Sequence, residues 1–114
     1  MKIIKRLAKS IEKEQAHGGS GSRKVFATSE YTKGNNLDAI THGFLPAGAK
    51  FDWHSHIDID EVMIVIKGSG IVSDLDGDYN YNPGDVFIFP ANIEHKISNP
   101  SDAEHEMIFV RIKV

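Results

Sequence analysis

The sequence predicts an all-β, single-domain barrel, and three observations point there. Short apolar runs of strand length follow one another from Val25 to the end of the chain. Residues suited to chain reversal separate each run from the next. After residue 23 no stretch holds a sustained helical period. Strands this short and numerous leave the fewest open edges when they close into a barrel or two packed sheets. A chain of 114 residues, 40% of them hydrophobic, is long enough for one core and too short for two. The cysteine count of zero removes disulfides, thiol catalysis and thiolate ligands, leaving histidine and carboxylate as the strong metal donors.

The N-terminal segment is the least regular. Ile3, Ile4, Leu7, Ala8 and Ile11 fit a helical stripe, yet the first few also suit a strand, so Lys2 to Gln15 is read only as an arm. Gly and Ser crowd Ala16 to Lys24, which reads as a flexible loop. Residues 1–22 are therefore assigned to the arm and glycine-rich loop, and 23–114 to the barrel. Within the barrel the expected strands are Val25 to Thr28, Leu37 to Leu45, Ala49 to His54 and Glu61 to Lys67, then Gly70 to Asp74 and Asp78 to Asn82. Asp85 to Phe89, Lys96 to Ser98 and His105 to Lys113 complete them. Turns are expected at Lys33 to Asn36, Pro46 to Gly48, Lys67-Gly68, Asp76-Gly77, Pro83 to Asp85 and Asn99 to Asp102, with Asp76-Gly77 the clearest hairpin signal.

Formal charge is −3, and apart from Lys2, Lys5, Arg6 and Lys9 the basic residues are dispersed, which argues against nucleic acid as a partner. The arm's scattered apolar residues fall short of a signal peptide or a membrane span, so the expectation is a cytoplasmic protein with no membrane partner.

Chemistry concentrates in four residues. His54 and His56 are one residue apart in an expected strand, so their imidazoles share a face. Glu61 heads the run Val-Met-Ile-Val-Ile, where a carboxylate is costly to bury without a cation. His95 follows the turn Pro90-Ala91-Asn92, where a hairpin-built barrel returns it beside the first pair. The bland alternatives are a surface histidine and a solvated edge carboxylate. An apolar strand beginning directly after Glu61 weighs against the second.

These residues also lie in a known pattern. Gly48 to Gly68 reads Gly, five residues, His-x-His, four residues, Glu, six residues, Gly, and resembles the first motif of the cupin superfamily. Gly84 to Asn99 resembles the second: Gly, five residues, Pro-x-Gly, two residues, His, three residues, Asn. One position departs, since Asn92 stands where the family has Gly, and Asn is the substitute most tolerant of a left-handed backbone. The resemblance implies a cupin-type double-stranded β-helix, a jelly-roll-like barrel. It also implies one divalent transition metal (iron, manganese, nickel, copper or zinc) on His54, His56, Glu61 and His95, with two positions left for water or substrate.

Alternation extends the reading to the pocket wall. If Glu61 and His95 point inward, so do Met63, Val65 and Ile97, joined by Phe87 with Phe89 or by Val86 with Ile88. The cavity is expected to be apolar around the metal, with no second acid or base standing out. His17 reads as solvated, His42 as an interior or outer-sphere histidine, His105 as a surface residue, Trp53 as outer packing or an interface, and Tyr79 and Tyr81 as core residues sharing a face.

The expected function is a metal-dependent enzyme on a small oxygen-containing metabolite, of dioxygenase or isomerase/lyase type, with Glu61 as catalytic base. The alternative is a non-catalytic module that binds a small molecule or sugar through the metal. By resemblance a homodimer is expected, the arm being suited to joining a neighbour's edge.

Overall fold

Side chains that alternate between buried and exposed sort the chain into two facing antiparallel sheets. The structure, a computed structural model, describes residues 2–16 and 21–114. Among them are β1 (Glu14–Gln15), β2 (Ser22–Ala27), β3 (Leu37–Leu45), β4 (Lys50–His54) and β5 (Ile59–Lys67). Then follow β6 (Gly70–Asp74), β7 (Gly77–Tyr81), β8 (Val86–Phe89), β9 (His95–Ser98) and β10 (His105–Lys113). One sheet has the order β1-β2-β3-β10-β5-β8 and the other β4-β9-β6-β7. Each of the expected apolar runs overlaps one of β2 to β10, and the architecture is the anticipated jelly-roll barrel. No helix of the described residues is long and apolar enough to cross a membrane.

The core lies between the sheets. Met63 and Val65 of β5, Met107 and Phe109 of β10, Phe51 of β4 and Ile97 of β9 all turn inward and are buried. On β8 the inward pair is Phe87 with Phe89, while Val86 and Ile88 face out. The β6–β7 hairpin turns where Asp-Gly predicts it, with the Asp74 carboxylate accepting from the backbone N–H of Asp76 (2.8 Å) and Gly77 (3.0 Å).

Some local expectations need correction. The segment read as a flexible loop contributes Ser22 to Lys24 to β2, because Ser22, Arg23 and Lys24 pair in register with Phe44, Gly43 and His42. Gly21 is part of that closure: a Cβ there would stand 2.2 Å from the Phe51 ring. Tyr81 is a core residue, but Tyr79 on the same strand is exposed beside Asp74. The largest correction concerns His105, which is buried. Its Nδ1 lies 2.6 Å from the Tyr81 hydroxyl and its Nε2 2.9 Å from Ser101 Oγ. The Ser101 hydroxyl donates to Asn99 Oδ1 (2.7 Å), so His105 Nε2–H is the donor to Ser101 and Tyr81 donates to Nδ1. Asn99 Nδ2 in turn donates to the carbonyls of Leu45, Pro46 and Ala103. This chain of buried bonds closes one end of the barrel.

Candidate metal centre

The other end carries the histidines. His54 is the last residue of β4, and His56 lies just beyond the strand rather than in it, past a register shift between Phe51 and His54 in the β4–β9 pairing. His95 opens β9 directly opposite His54. Glu61, the third residue of β5, reaches across from the other sheet. The four residues converge as anticipated: one donor atom from each lies within 4.8 Å of all the others. His56 Nε2 is 3.4 Å from Glu61 Oε2, and His95 Nε2 is 3.5 Å from Glu61 Oε1.

Backbone carbonyls orient two of the rings. His54 Nδ1 lies 2.5 Å from the carbonyl of Asp52, and His95 Nδ1 lies 3.0 Å from that of Ile93. A carbonyl only accepts, so each Nδ1 is the protonated nitrogen and each Nε2 keeps its lone pair. His95 stacks on Phe89 at 4.1 Å and is 1% exposed. Its Nε2 has no hydrogen-bond partner among the described residues. A buried acceptor left unbonded is destabilising, and a cation among these donors would satisfy it.

A clamp sets the position of His56. Asn92 adopts φ +70°, and its N–H donates to the His56 carbonyl (3.0 Å) while its Oδ1 accepts from the Asp58 N–H (3.3 Å). Asp60 Oδ1 accepts from the Ala91 N–H at 2.8 Å. Asn92 thus keeps the left-handed turn that glycine would allow and adds a tether that glycine lacks.

Residues 42–111, more than half the chain, match the family model for the cupin domain. The chain belongs to the cupin family. An uncharacterized protein of Methanocaldococcus jannaschii is 27% identical over 99 residues, spanning 87% of this cupin and 78% of the relative. The fold is also similar to that of a protein described as a predicted oxalate decarboxylase from Thermotoga maritima, at TM-score 0.87 and 22% identity over 97% of this chain and 100% of that one. A cupin-superfamily sugar phosphate isomerase from Silicibacter pomeroyi aligns at TM-score 0.77 and 22% identity, covering 97% and 76% of the two chains. The polyketide cyclase RemF from Streptomyces resistomycificus aligns at 0.80 and 15% identity, covering 96% and 80%.

The electrostatics of this cupin's site turn on Glu61, 4% exposed. Burial alone would raise its pKa, but the adjoining His56 and His95 imidazoles and the charge of Arg111 outweigh it and hold the carboxyl at about 2. Burial, reinforced by repulsion from His95 and His56, keeps the His54 imidazole below its ordinary value, against the bond to Asp52. The site therefore holds an ionised carboxylate and a His54 biased toward the neutral form, the states in which both groups ligate metals.

A cleft lies beside Glu61 and spans about 420 Å³ when the open solvent at its mouth is counted. It is not wholly apolar, which corrects the expectation: Phe51, Ile97 and Phe109 line it together with Thr41, Arg23 and Arg111. Arg111 is the direct cross-strand partner of Glu61. Its Nη1 donates to Glu61 Oε2 at 3.2 Å and lies 3.3 Å from both His56 ring nitrogens, while Nε donates to Asp38 at 2.8 Å. A signal for it existed in the sequence. His105, Met107, Phe109 and Arg111 share one parity of β10, so an inward arginine follows from the inward Phe109.

Two tempting histidines lie elsewhere. His42 faces away from the cavity, stacked on Phe44 at 4.4 Å and bonded to Glu106 at 2.8 Å. His17 lies outside the described residues. Trp53 is exposed, with the Lys96 ammonium 5.1 Å from its ring centre.

Proposed function

We propose that this cupin binds one divalent transition metal through His54, His56, Glu61 and His95 and is a metal-dependent enzyme on a small oxygen-containing metabolite, of dioxygenase or isomerase/lyase type. The observation that carries the metal is the unpartnered Nε2 of His95, buried and aimed into a cluster whose other donors are already oriented. When bound, such a metal supplies Lewis-acid polarisation of an oxygen donor or, if redox-active, electron transfer. The chain's own residues do the rest. Asp52 and Ile93 carbonyls fix the ring orientations, Phe89 and Met63 limit water around His95 and Glu61, and Arg111 balances the carboxylate. Glu61 is the proposed proton acceptor. While His56 and Arg111 face it its proton affinity is low, so accepting a proton requires the carboxylate to turn from them.

A non-catalytic binding module is the second reading, favoured by the orientation of His42. Its bond to Glu106 on the outer face removes a candidate acid–base partner from the cavity. The proposed setting is the cytoplasm, which the cysteine count of zero supports. The proposed assembly is a homodimer. Its support is the outer face of the six-stranded sheet, where Val62, Ile64, Val86, Ile88, Ile108 and Val110 are register neighbours across three strands. Val86 and Ile88 are 57% and 69% exposed.

Elemental analysis of the protein after dialysis against a weak chelator tests the centre, alongside His56→Ala and His95→Ala. The expected result is near-stoichiometric metal in the parent and its loss in both variants. No retained metal after incubation with each candidate ion would overturn the reading. With metal retained, turnover of small diols, diketones or sugar derivatives separates enzyme from binding module.

A further inference from the structure

The two arginines in the cavity are unexplained by a metal centre alone. The acidic group lining the cavity is Glu61, whereas Arg23 and Arg111 both line it, so guanidiniums outnumber carboxylates on its wall in a chain of net charge −3. Both guanidiniums are braced from behind. Arg23 Nε donates to Glu14 at 3.0 Å, and Arg111 Nε donates to Asp38 at 2.8 Å. The side chains are mostly buried, at 22% and 14% exposure. Both Nη groups of Arg23 and Nη2 of Arg111 make no hydrogen bond among the described residues. A guanidinium fixed by its Nε, with both Nη groups unused as at Arg23, suits a carboxylate, and Nη2 of Arg111 adds a further donor.

We infer that Arg23 and Arg111 make this cavity a site for a small carboxylate anion, held by guanidinium Nη groups beside the His/Glu cluster. The inference rests on the proposed reading of that cluster as the ligand-binding centre, and it narrows the metabolite from oxygen-containing to anionic. A purely structural role would confine Arg111 to bracing Glu61 and Arg23 to its pair with Glu14. That last contact is to an exposed partner, 54% accessible, and adds little stability by itself. Thr41 and the apolar rings of Phe51 and Phe109 line the same cavity and would contact the body of a small ligand.

The test is calorimetric binding of acetate, pyruvate and malonate, with hydroxyacetone as the neutral counterpart of pyruvate, to zinc-loaded and metal-free protein. The zinc-loaded protein is expected to prefer at least one anion over hydroxyacetone by about tenfold or more, with affinity falling as salt rises. Arg23→Gln, which touches no residue of the cluster, should lower that anion's affinity about tenfold with zinc content and melting temperature unchanged. Arg111→Lys should lower it too, and serves in place of Arg111→Gln should that variant unfold. Zinc-loaded protein that binds no anion in preference, or whose preference survives Arg23→Gln, overturns this inference and leaves the metal reading standing. Protein that takes up no zinc yet binds anions in an Arg23-dependent way overturns the metal reading and keeps the arginine site.

Discussion

Two residues in one buried hydrogen bond set opposite limits on stability. Burial lowers the pKa of His105 from 6.5, with a smaller contribution from Lys67, and raises that of Tyr81 from 10.0 to about 12. His105 thus binds a proton more readily in the unfolded chain, so its contribution is complete above pH 6.5 and is lost as pH falls toward its folded value. Tyr81 is held as the phenol when folded, so its contribution is complete below pH 10 and is lost as pH rises toward 12. Urea midpoints measured across pH should show a plateau between these limits. Tyr81→Phe is expected to be less stable at neutral pH and to lose much of the alkaline decline, whereas an unchanged alkaline limb would place its origin elsewhere. The four ligand candidates were legible at this scale because their spacing matches the two cupin motifs, although strand parity does not account for His56, which lies past the end of β4. His105 was not: nothing adjacent in sequence announces that Tyr81 and Ser101 will meet it, since Tyr81 comes from a hairpin 24 residues away. Arg111 was legible by parity, but a charged residue near a chain end reads as surface until the partner strand is known.

Loops decide how well the strands present their donors. The 56–60 and 90–92 segments hold each other through Asn92 and Asp60, and His56 hangs from the first of them. Asn92→Gly preserves the φ of +70° and removes only the tether to Asp58, so metal affinity should fall severalfold with little change in melting temperature. Asn92→Ala also carries the left-handed penalty, about 1–2 kcal/mol, and should lower the melting temperature as well. Competition with a colorimetric chelator and thermal melts of both variants separate the two effects. Equal chelator constants for parent and glycine variant would show that His56 is positioned without the tether. The strands themselves were readable from alternation and turn chemistry. The two-residue β1 and the early start of β2 were not, because the Gly/Ser composition around residue 20 carries a loop signal while the pairing that orders Ser22 to Lys24 belongs to β3.

At the scale of the whole molecule the two faces of the six-stranded sheet are both apolar, and the barrel uses one of them. Inward residues of β5 and β10 fill the core, while Val62, Ile64, Ile108 and Val110 face out, only partly covered, next to the exposed Val86 and Ile88. A two-fold pairing of such sheets buries the same patch on each copy. The arm, by contrast, lies along its own β2, with the Arg6 guanidinium on the Val25 and Phe26 carbonyls and Lys24 Nζ on that of Ala8 (2.8 Å). Val86→Lys with Ile88→Lys is therefore expected to give a monomer by light scattering, and deletion of residues 1–10 to leave a dimer. The reverse pattern would assign the interface to the arm.

The buried chain from Tyr81 through His105 and Ser101 to Asn99 also divides labour along β10. His105 opens that strand and Arg111 stands near its end beside Glu61, with the buried Met107 and Phe109 between them. One strand thus keeps its stabilising network and its charged group apart, so a change that loosens the first need not disturb the second.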